Sequence, residues 1–335
     1  MRAVVQDGYG SLDRLRLMEV ARPEPGEDEV LVRVRASSVH PDVWHVVSGR
    51  PFVLRLLGSG LRRPGCPIPG TDLAGVVAAT GRAVTRFRVG DDVFGESLRG
   101  FSWRNGGAWA EYAAAPEEGL AIKPANVTFE QAAAVPTAGY IVLVNLPAGW
   151  PLPGQRVLVN GAAGGVGAIV VQLAKAHDAH VTGVDHTRKL DLVCTLGADD
   201  VVDYTSTDVT QSGRRYDLIV DIPGDRPFAA YRRILTPEGK YVLIGHDHYG
   251  QAGRRWVGSL PRFARLGVLA MFSRHLRRSG PGRPSKSAAM ETLRTHLEAG
   301  QLAPVVDRAF PLHEAGEAIR YLVGGQSLGR VMLTV

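Results

Sequence analysis

Along residues 1–124, hydrophobic and polar positions alternate over short runs, RAVVQD, LRLMEV, EVLVRVRASSV, TDLAGVVAATG, GDDVFG and GAWAEYAAA, each punctuated by Gly or Pro. A period of two turns one face of a strand to a core and the other to water, so this stretch predicts an all-β, barrel-like unit. From about Asn126 the rhythm changes. The apolar runs RVLVNG, HVTGVD, DVVDY, YDLIVDIPG and GKYVLIGH alternate with helical patterns, which predicts a parallel sheet being wound. Further on, MFSRHLRR and AAMETLRTHLEAG read as helical, PVVDRAFPL is followed by a helix through EAIRYL, and GRVMLTV reads as a strand returning to the first unit. The expected fold class is α/β, a β-barrel unit plus a doubly wound parallel sheet, with boundaries at 1–124, 125–270 and 271–335.

The stretch LVNGAAGGVGAIVV, residues 158–171, carries almost nothing larger than valine and no charge. A strand apolar on both faces runs into it, and Val166, Ile169, Val170, Leu173 and Ala174 follow at helical spacing, so it predicts strand, tight turn, helix. Small residues let backbone amides approach a pyrophosphate, and the helix amino terminus supplies partial positive charge to hold it. The pattern is Ala162-x-Gly164-x-x-Gly167 rather than three glycines. Its context argues for a dinucleotide over a plain turn, because Asp185 ends the next strand at about the 20-residue spacing of a ribose-binding carboxylate. The candidate cofactor residues here are Ala163, Gly164, Gly165, Val166 and Asp185. Asp185 repels a 2′-phosphate and so favours NADH, whereas Arg188, with Lys189, pairs with that phosphate and Tyr204 contacts it, which keeps NADPH open.

At 335 residues the chain exceeds the size of one core, so two domains are expected. The amino terminus enters a strand without a basic-then-apolar leader, and no apolar run reaches the ~18 residues of a membrane span; a cytoplasmic protein with no membrane partner is expected. Cys66 and Cys194 are the two cysteines, which excludes a disulfide framework and a four-cysteine zinc lobe. Much of the net charge of +6 falls in residues 253–286. That segment suits an anionic substrate such as an acyl thioester; as a nucleic-acid surface it offers only Trp256, Phe263 and Phe272 as scattered aromatics, and no nucleic-acid partner is expected.

The whole chain resembles the medium-chain dehydrogenase/reductase superfamily, in its zinc-free quinone-oxidoreductase-like branch, close to the mitochondrial reticulon-interacting reductase group. The resemblance is carried by ASSVHPDVWHVVSGRPF, PIPGTDLAGVVAATG, RFRVGDDVFG, FEQAAAVPTAG, PGQRVLVNGAAGGVG, LGADDVVDYT, YDLIVDIPG and LGRVMLTV. It implies a GroES-like catalytic domain built from both ends of the chain, a Rossmann domain between, a cofactor cleft where they meet, and a homodimer through the Rossmann sheet. Gly245 and Arg330 complete the cofactor set. Relatives frequently use NADPH, and Asp185 departs from that habit.

The superfamily's zinc enzymes place Cys, His and Cys at segments matching His40, Thr71 and Ala134, of which only His40 binds metal, so no zinc is expected. His40, Asp42 and His45 form an H-x-D-x-x-H string, read as a loop after a strand with one polar residue in the cleft. Without a Lewis acid, alcohol oxidation is difficult, and what remains easy is hydride delivery to an acceptor that spreads the charge itself, a quinone, an enone or an enoyl group. Phe52 stands near the place where enoyl-reducing relatives often have a Tyr. The catalytic candidates are His40, as proton or hydrogen-bond donor or as a structural histidine, and Tyr140. Ile141 replaces the usual Thr near the nicotinamide. Trp44, Phe52, Trp103 and Ile141 are candidate substrate-lining residues, the aromatic ones with barrel packing as their alternative. A cofactor-binding scaffold with little turnover is the competing reading.

Overall fold

The computed structural model describes residues 1–99, 104–147, 149–150, 152–245, 255–276 and 283–335, residues 57 and 58 without their side chains. Trp103 lies outside the described residues. The chain divides into two units, Met1–Tyr140 with Pro284–Val335, and Ile141–Arg283.

The elements of the first part are β1 (Arg2–Gln6), β2 (Leu15–Glu19), β3 (Glu29–Val39), α1 (Pro41–Ser48), β4 (Asp72–Thr80), β5 (Asp92–Glu96), β6 (Tyr112–Pro116), β7 (Leu120–Ile122), α2 (Phe129–Ala133) and α3 (Pro136–Asn145). The central elements are β8 (Arg156–Asn160), α4 (Gly165–Ala176), β9 (His180–Asp185), α5 (Leu190–Thr195), β10 (Asp200–Asp203), β11 (Tyr216–Asp221), α6 (Phe228–Arg232), β12 (Leu235–Leu243) and α7 (Leu260–Phe272). The chain finishes with α8 (Lys286–Glu298), β13 (Val306–Pro311), α9 (Ala315–Val323) and β14 (Arg330–Thr334).

In the first unit one sheet runs β13-β14-β3-β4-β5-β7, with β6 on the far part of β3. Its apolar faces close over Val30, Val32, Val34, Leu73, Val77 and Val93. The returning end is real: β14 pairs antiparallel with β3, Val331 opposite Val39 and Leu333 opposite Ser37. In the second unit five strands run β10-β9-β8-β11-β12, every neighbouring pair parallel. Strand β8 sits in the middle with Val157, Leu158 and Val159 fully buried, as a strand covered on both faces requires.

Three local expectations change. The His40–His45 string is a helix, not a loop: Pro41 pre-sets the first turn of α1, Val43, Val46 and Val47 bury one stripe, and Gly49 closes it at φ 63°. Instead of one polar residue turned inward, both His40 and His45 are buried. Within MFSRHLRR, the described residues are helical only at Met271 and Phe272, since α7 ends at Phe272 and Ser273 is extended; Arg277 and Arg278 lie outside the described residues.

Candidate active site

A connected polar cluster of the first unit is buried. His40, at the amino cap of α1, is 3% exposed, and its Nε2 lies 2.9 Å from Thr71 Oγ1, just before β4. Thr71 Oγ1 is 3.3 Å from Thr137 Oγ1 on α3. The Thr137 backbone N–H donates to Asp72 Oδ1 at 2.9 Å, and its hydroxyl oxygen lies 2.5 Å from both Asp72 Oδ1 and Glu96 Oε1. Asp72 Oδ2 accepts from the Ser38 hydroxyl, and Arg330 Nη2 stands 3.4 Å away. Glu96 Oε2 pairs with Lys286 Nζ at 2.6 Å. Burial raises both carboxyl groups, against the opposing pull of Arg330 on Asp72 and of Lys286 on Glu96. Burial likewise pushes the His40 imidazole down to about 4, outweighing Asp42, so the ring is neutral at pH 7.

In the second unit, the end of β8 passes through Gly161 at φ 84° into α4, whose amino cap, Gly164, offers no side chain. A Cβ at Gly167 would sit 2.1 Å from the Gly161 carbonyl oxygen, so the turn closes this tightly only with glycine there. The first N–H groups of a helix have no partner within it. At Gly165 and Val166 they therefore front a surface of backbone alone. Asp185, ending β9, is turned toward this loop: Oδ2 accepts from the Ala163 N–H and Oδ1 from the His186 N–H, both at 2.8 Å. Tyr204 N–H donates to the Asp185 carbonyl at 3.2 Å, and its half-exposed ring stands edge-on to His186 at 6.0 Å. Arg188 is exposed in the following turn. Gly245, after β12, abuts Ile222, where a Cβ would meet the carbonyl oxygen at 2.4 Å.

The structure thus gathers His40 and Arg330 into one network, and Ala163, Gly164, Gly165, Val166, Asp185 and Tyr204 around one turn. Tyr140 lies under Lys286 Nζ, 5.3 Å from its ring centre. Phe52 lies under the Arg55 guanidinium at 4.6 Å, and half-buried Trp44 packs against the Val39–Val43–Trp109 cluster. Ile141, half-buried on α3, accepts from the Asn145 side chain through its carbonyl. Asp72, Glu96, Thr137 and Lys286 escaped the sequence reading. For Asp72 and Glu96 the signal was a carboxylate at the start of the apolar run DLAGVV and another ending DVFGE; Thr137 and Lys286 left none.

Residues 26–125 match a family profile described as "Alcohol dehydrogenase GroES-like domain", and residues 196–333 one described as "Zinc-binding dehydrogenase". The chain is 31% identical, over 99% of its length and 98% of the relative's, to "Quinone-oxidoreductase homolog, chloroplastic" of Spinacia oleracea. It belongs to the medium-chain dehydrogenase/reductase superfamily, in the quinone-oxidoreductase-like branch. A second superfamily member, "NADPH-dependent alkenal/one oxidoreductase, chloroplastic" of Arabidopsis thaliana, is 31% identical over 99% of this chain and 79% of that protein. Among solved structures, the quinone oxidoreductase from Coxiella burnetii superposes with a TM-score of 0.81 at 25% identity, covering 100% of this chain and 99% of that one.

The zinc of some superfamily members does not fit this donor set. Of the three matching positions, His40 already bonds Thr71, Thr71 offers a neutral hydroxyl, and Ala134 offers a methyl group. Among the described residues no group of three or more His, Cys, Asp or Glu side chains is arranged to hold a metal ion. A dinucleotide does fit the second unit, on the bare amino terminus of α4 and the glycine-closed turn beneath it.

Proposed function

We propose that this protein is an NAD(P)H-dependent reductase that works without a metal and delivers hydride to an activated C=C, in an enone or enoyl compound, or to a quinone. The observation that carries the reading is the backbone cradle at Gly164, Gly165 and Val166, in a chain matching a quinone-oxidoreductase homolog along 99% of its length. A bound nicotinamide supplies the electron pair and its proton together. The protein's own groups do the rest. The α4 amides hold the pyrophosphate, Ala163, whose N–H is taken by Asp185, shapes the turn beside it, Asp185 meets the adenosine ribose, and Arg188 and Tyr204 flank it. Gly245 belongs to the cofactor set of this reading, and so does the Arg330 guanidinium, the cation beside Asp72.

The acceptor spreads incoming charge to a distant oxygen, so the protein has only to position, desolvate and protonate it. His40 is the donor in this reading, acting as a neutral imidazole rather than an imidazolium. Tyr140 is the second candidate. Phe52, Trp44 and Ile141 remain the substrate-side candidates of this reading. The carboxylate of Asp185 favours NADH over NADPH. The reading includes an anionic substrate as one variant, and the protein as a homodimer in the cytoplasm. No helix among the described residues is long and apolar enough to cross a membrane.

The test is NADH and NADPH oxidation against a panel of enones, enoyl thioesters and quinones. Oxidation above the cofactor's background with at least one class is expected. Tight cofactor binding with no acceptor turned over would favour the scaffold alternative instead. Sedimentation at several concentrations tests the homodimer.

A further inference from the structure

Hydrogen counting in the buried cluster of the first unit singles out a group the reading so far leaves idle. Asp72 and Glu96 are direct cross-strand partners of β4 and β5, 0% and 6% exposed. Two like charges directly opposite each other, out of water, repel strongly. The Thr137 hydroxyl oxygen touches both carboxyl groups at 2.5 Å, yet it carries one hydrogen. Without a second hydrogen, one of these contacts would press two lone-pair oxygens together. Asp72 is already surrounded by donors: the Thr137 N–H and the Ser38 hydroxyl each bond it, and Arg330 stands beside it. Glu96 Oε1 faces Thr137, while Oε2 takes Lys286.

We propose that Glu96 is held as the neutral acid, its Oε1–H donating to Thr137, and that it recharges His40 through Thr137 and Thr71 after His40 gives up a proton.

The chain of atoms is continuous: Glu96 Oε1 to Thr137 Oγ1 at 2.5 Å, Thr137 to Thr71 Oγ1 at 3.3 Å, and Thr71 to His40 Nε2 at 2.9 Å. When the His40 Nδ1–H bond breaks toward an acceptor, Nε2 takes the Thr71 hydrogen. Thr71 takes that of Thr137, whose hydroxyl swings from Asp72, and Thr137 takes the proton of Glu96. No electrons move along this chain. The charge that the acceptor loses by protonation reappears on Glu96 as a carboxylate, 2.6 Å from Lys286 Nζ. The charged and titratable neighbours are thus Lys286 from α8, Arg330 from β14, Asp72 from β4, and Asp42, whose Oδ2 lies 3.9 Å from His40 Nδ1. Burial, which raises the Glu96 carboxyl, works in the same direction. Glu96 is a positioning residue in this scheme, since it acts through His40, and the scheme rests on the reading of His40 as donor.

The test uses the full chain at pH 7. Infrared spectra of wild type are expected to show a protonated-carboxyl C=O band that Glu96→Gln removes and Asp72→Asn retains. The nitrogen-15 resonances of His40 should shift in Thr137→Val and return in Thr137→Ser. With NADH and methyl vinyl ketone, Thr137→Val should lower kcat about tenfold and raise its solvent isotope effect, with KM little changed. A wild-type spectrum without an acid band, or one that Glu96→Gln leaves untouched, overturns the proposal. So does a His40 resonance, or a kcat, indifferent to Thr137→Val. If both spectroscopic signals behave as expected and no acceptor is reduced, the proton chain stands and the reductase reading falls.

Discussion

At the scale of single residues, two buried histidines make a sharp prediction. Burial pushes both His40 and His45 down to about 4 in the folded chain, whereas an unfolded histidine titrates near ~6.5. Between these values the unfolded state binds more protons, so stability must fall as the pH drops from about 6.5 to about 4. The upper figure is about 3 kcal/mol per ring. Urea midpoints at pH 7 and pH 5 check this: His45→Gln, which keeps an amide near the Arg50 carbonyl that His45 Nδ1 bonds at 2.8 Å, should show the shallower fall. Equal falls would show that the ring is not the group titrating. A second prediction concerns Asp185. If Asp185 meets the ribose as proposed, replacing it by Ser removes the carboxylate that disfavours a 2′-phosphate and that accepts from Ala163, so affinity for NADPH relative to NADH should rise about tenfold, a change of ~1.4 kcal/mol, in a fluorescence titration. Tighter NADPH binding already in wild type would reverse the assignment. The placement of His40, after a strand, and of Asp185, ending one, was legible because each sits in a local pattern. Glu96 and Lys286 were not, since their partners are brought together only by β-sheet register and by the returning chain. No spacing along the sequence announces such a pair.

At the scale of elements, periodicity succeeded where one face is dry and failed where an element is short or its neighbours decide. Strand β7 has three residues, too few to show a period. Helix α1 was hidden by its histidines, although its valine stripe, Pro41 and Gly49 were all present. Helix α7 presents the opposite case. Leu266 packs against the cluster of Leu158, Tyr231 and Tyr241, while Phe263, Val268, Met271 and Phe272 remain exposed. Only the inner stripe of such a helix contributes to the stability of the unit. Leu266→Ala should therefore lower the unfolding free energy by about 1–2 kcal/mol, the half-buried fraction of a leucine truncation. Phe272→Ser, at a ring 82% exposed, should leave it within about 0.5 kcal/mol. Paired denaturant curves decide this, and a larger loss for Phe272→Ser would mean that α7 is seated the other way round.

At the scale of the whole molecule, the first unit is made from both ends of the chain, and its sheet depends on its final residues. Strand β14 lies between β13 and β3, with Val331, Met332 and Leu333 fully buried. The patterns of the two ends were readable separately, and GRVMLTV resembled the early strands, so the return itself could be anticipated. Its register, which sets Arg330 beside Asp72, could not, because pairing across some 290 residues is fixed by side-chain packing rather than by any local turn. The dependence has a magnitude. Three buried side chains are worth about 5–9 kcal/mol together, comparable to the ~5–15 kcal/mol net stability of a domain. Ending the chain at Gly329 should therefore abolish the cooperative thermal transition of the first unit and expose residues before Tyr140 to limited proteolysis. Arg330→Met keeps the strand and removes only the cation beside Asp72, so it should remain folded and protected. Should the shortened chain melt at the temperature of the full one, β14 would be a passenger on the sheet, and the wall against which Ser38 and Asp72 are arranged would have to be supplied by β3 and β4 alone.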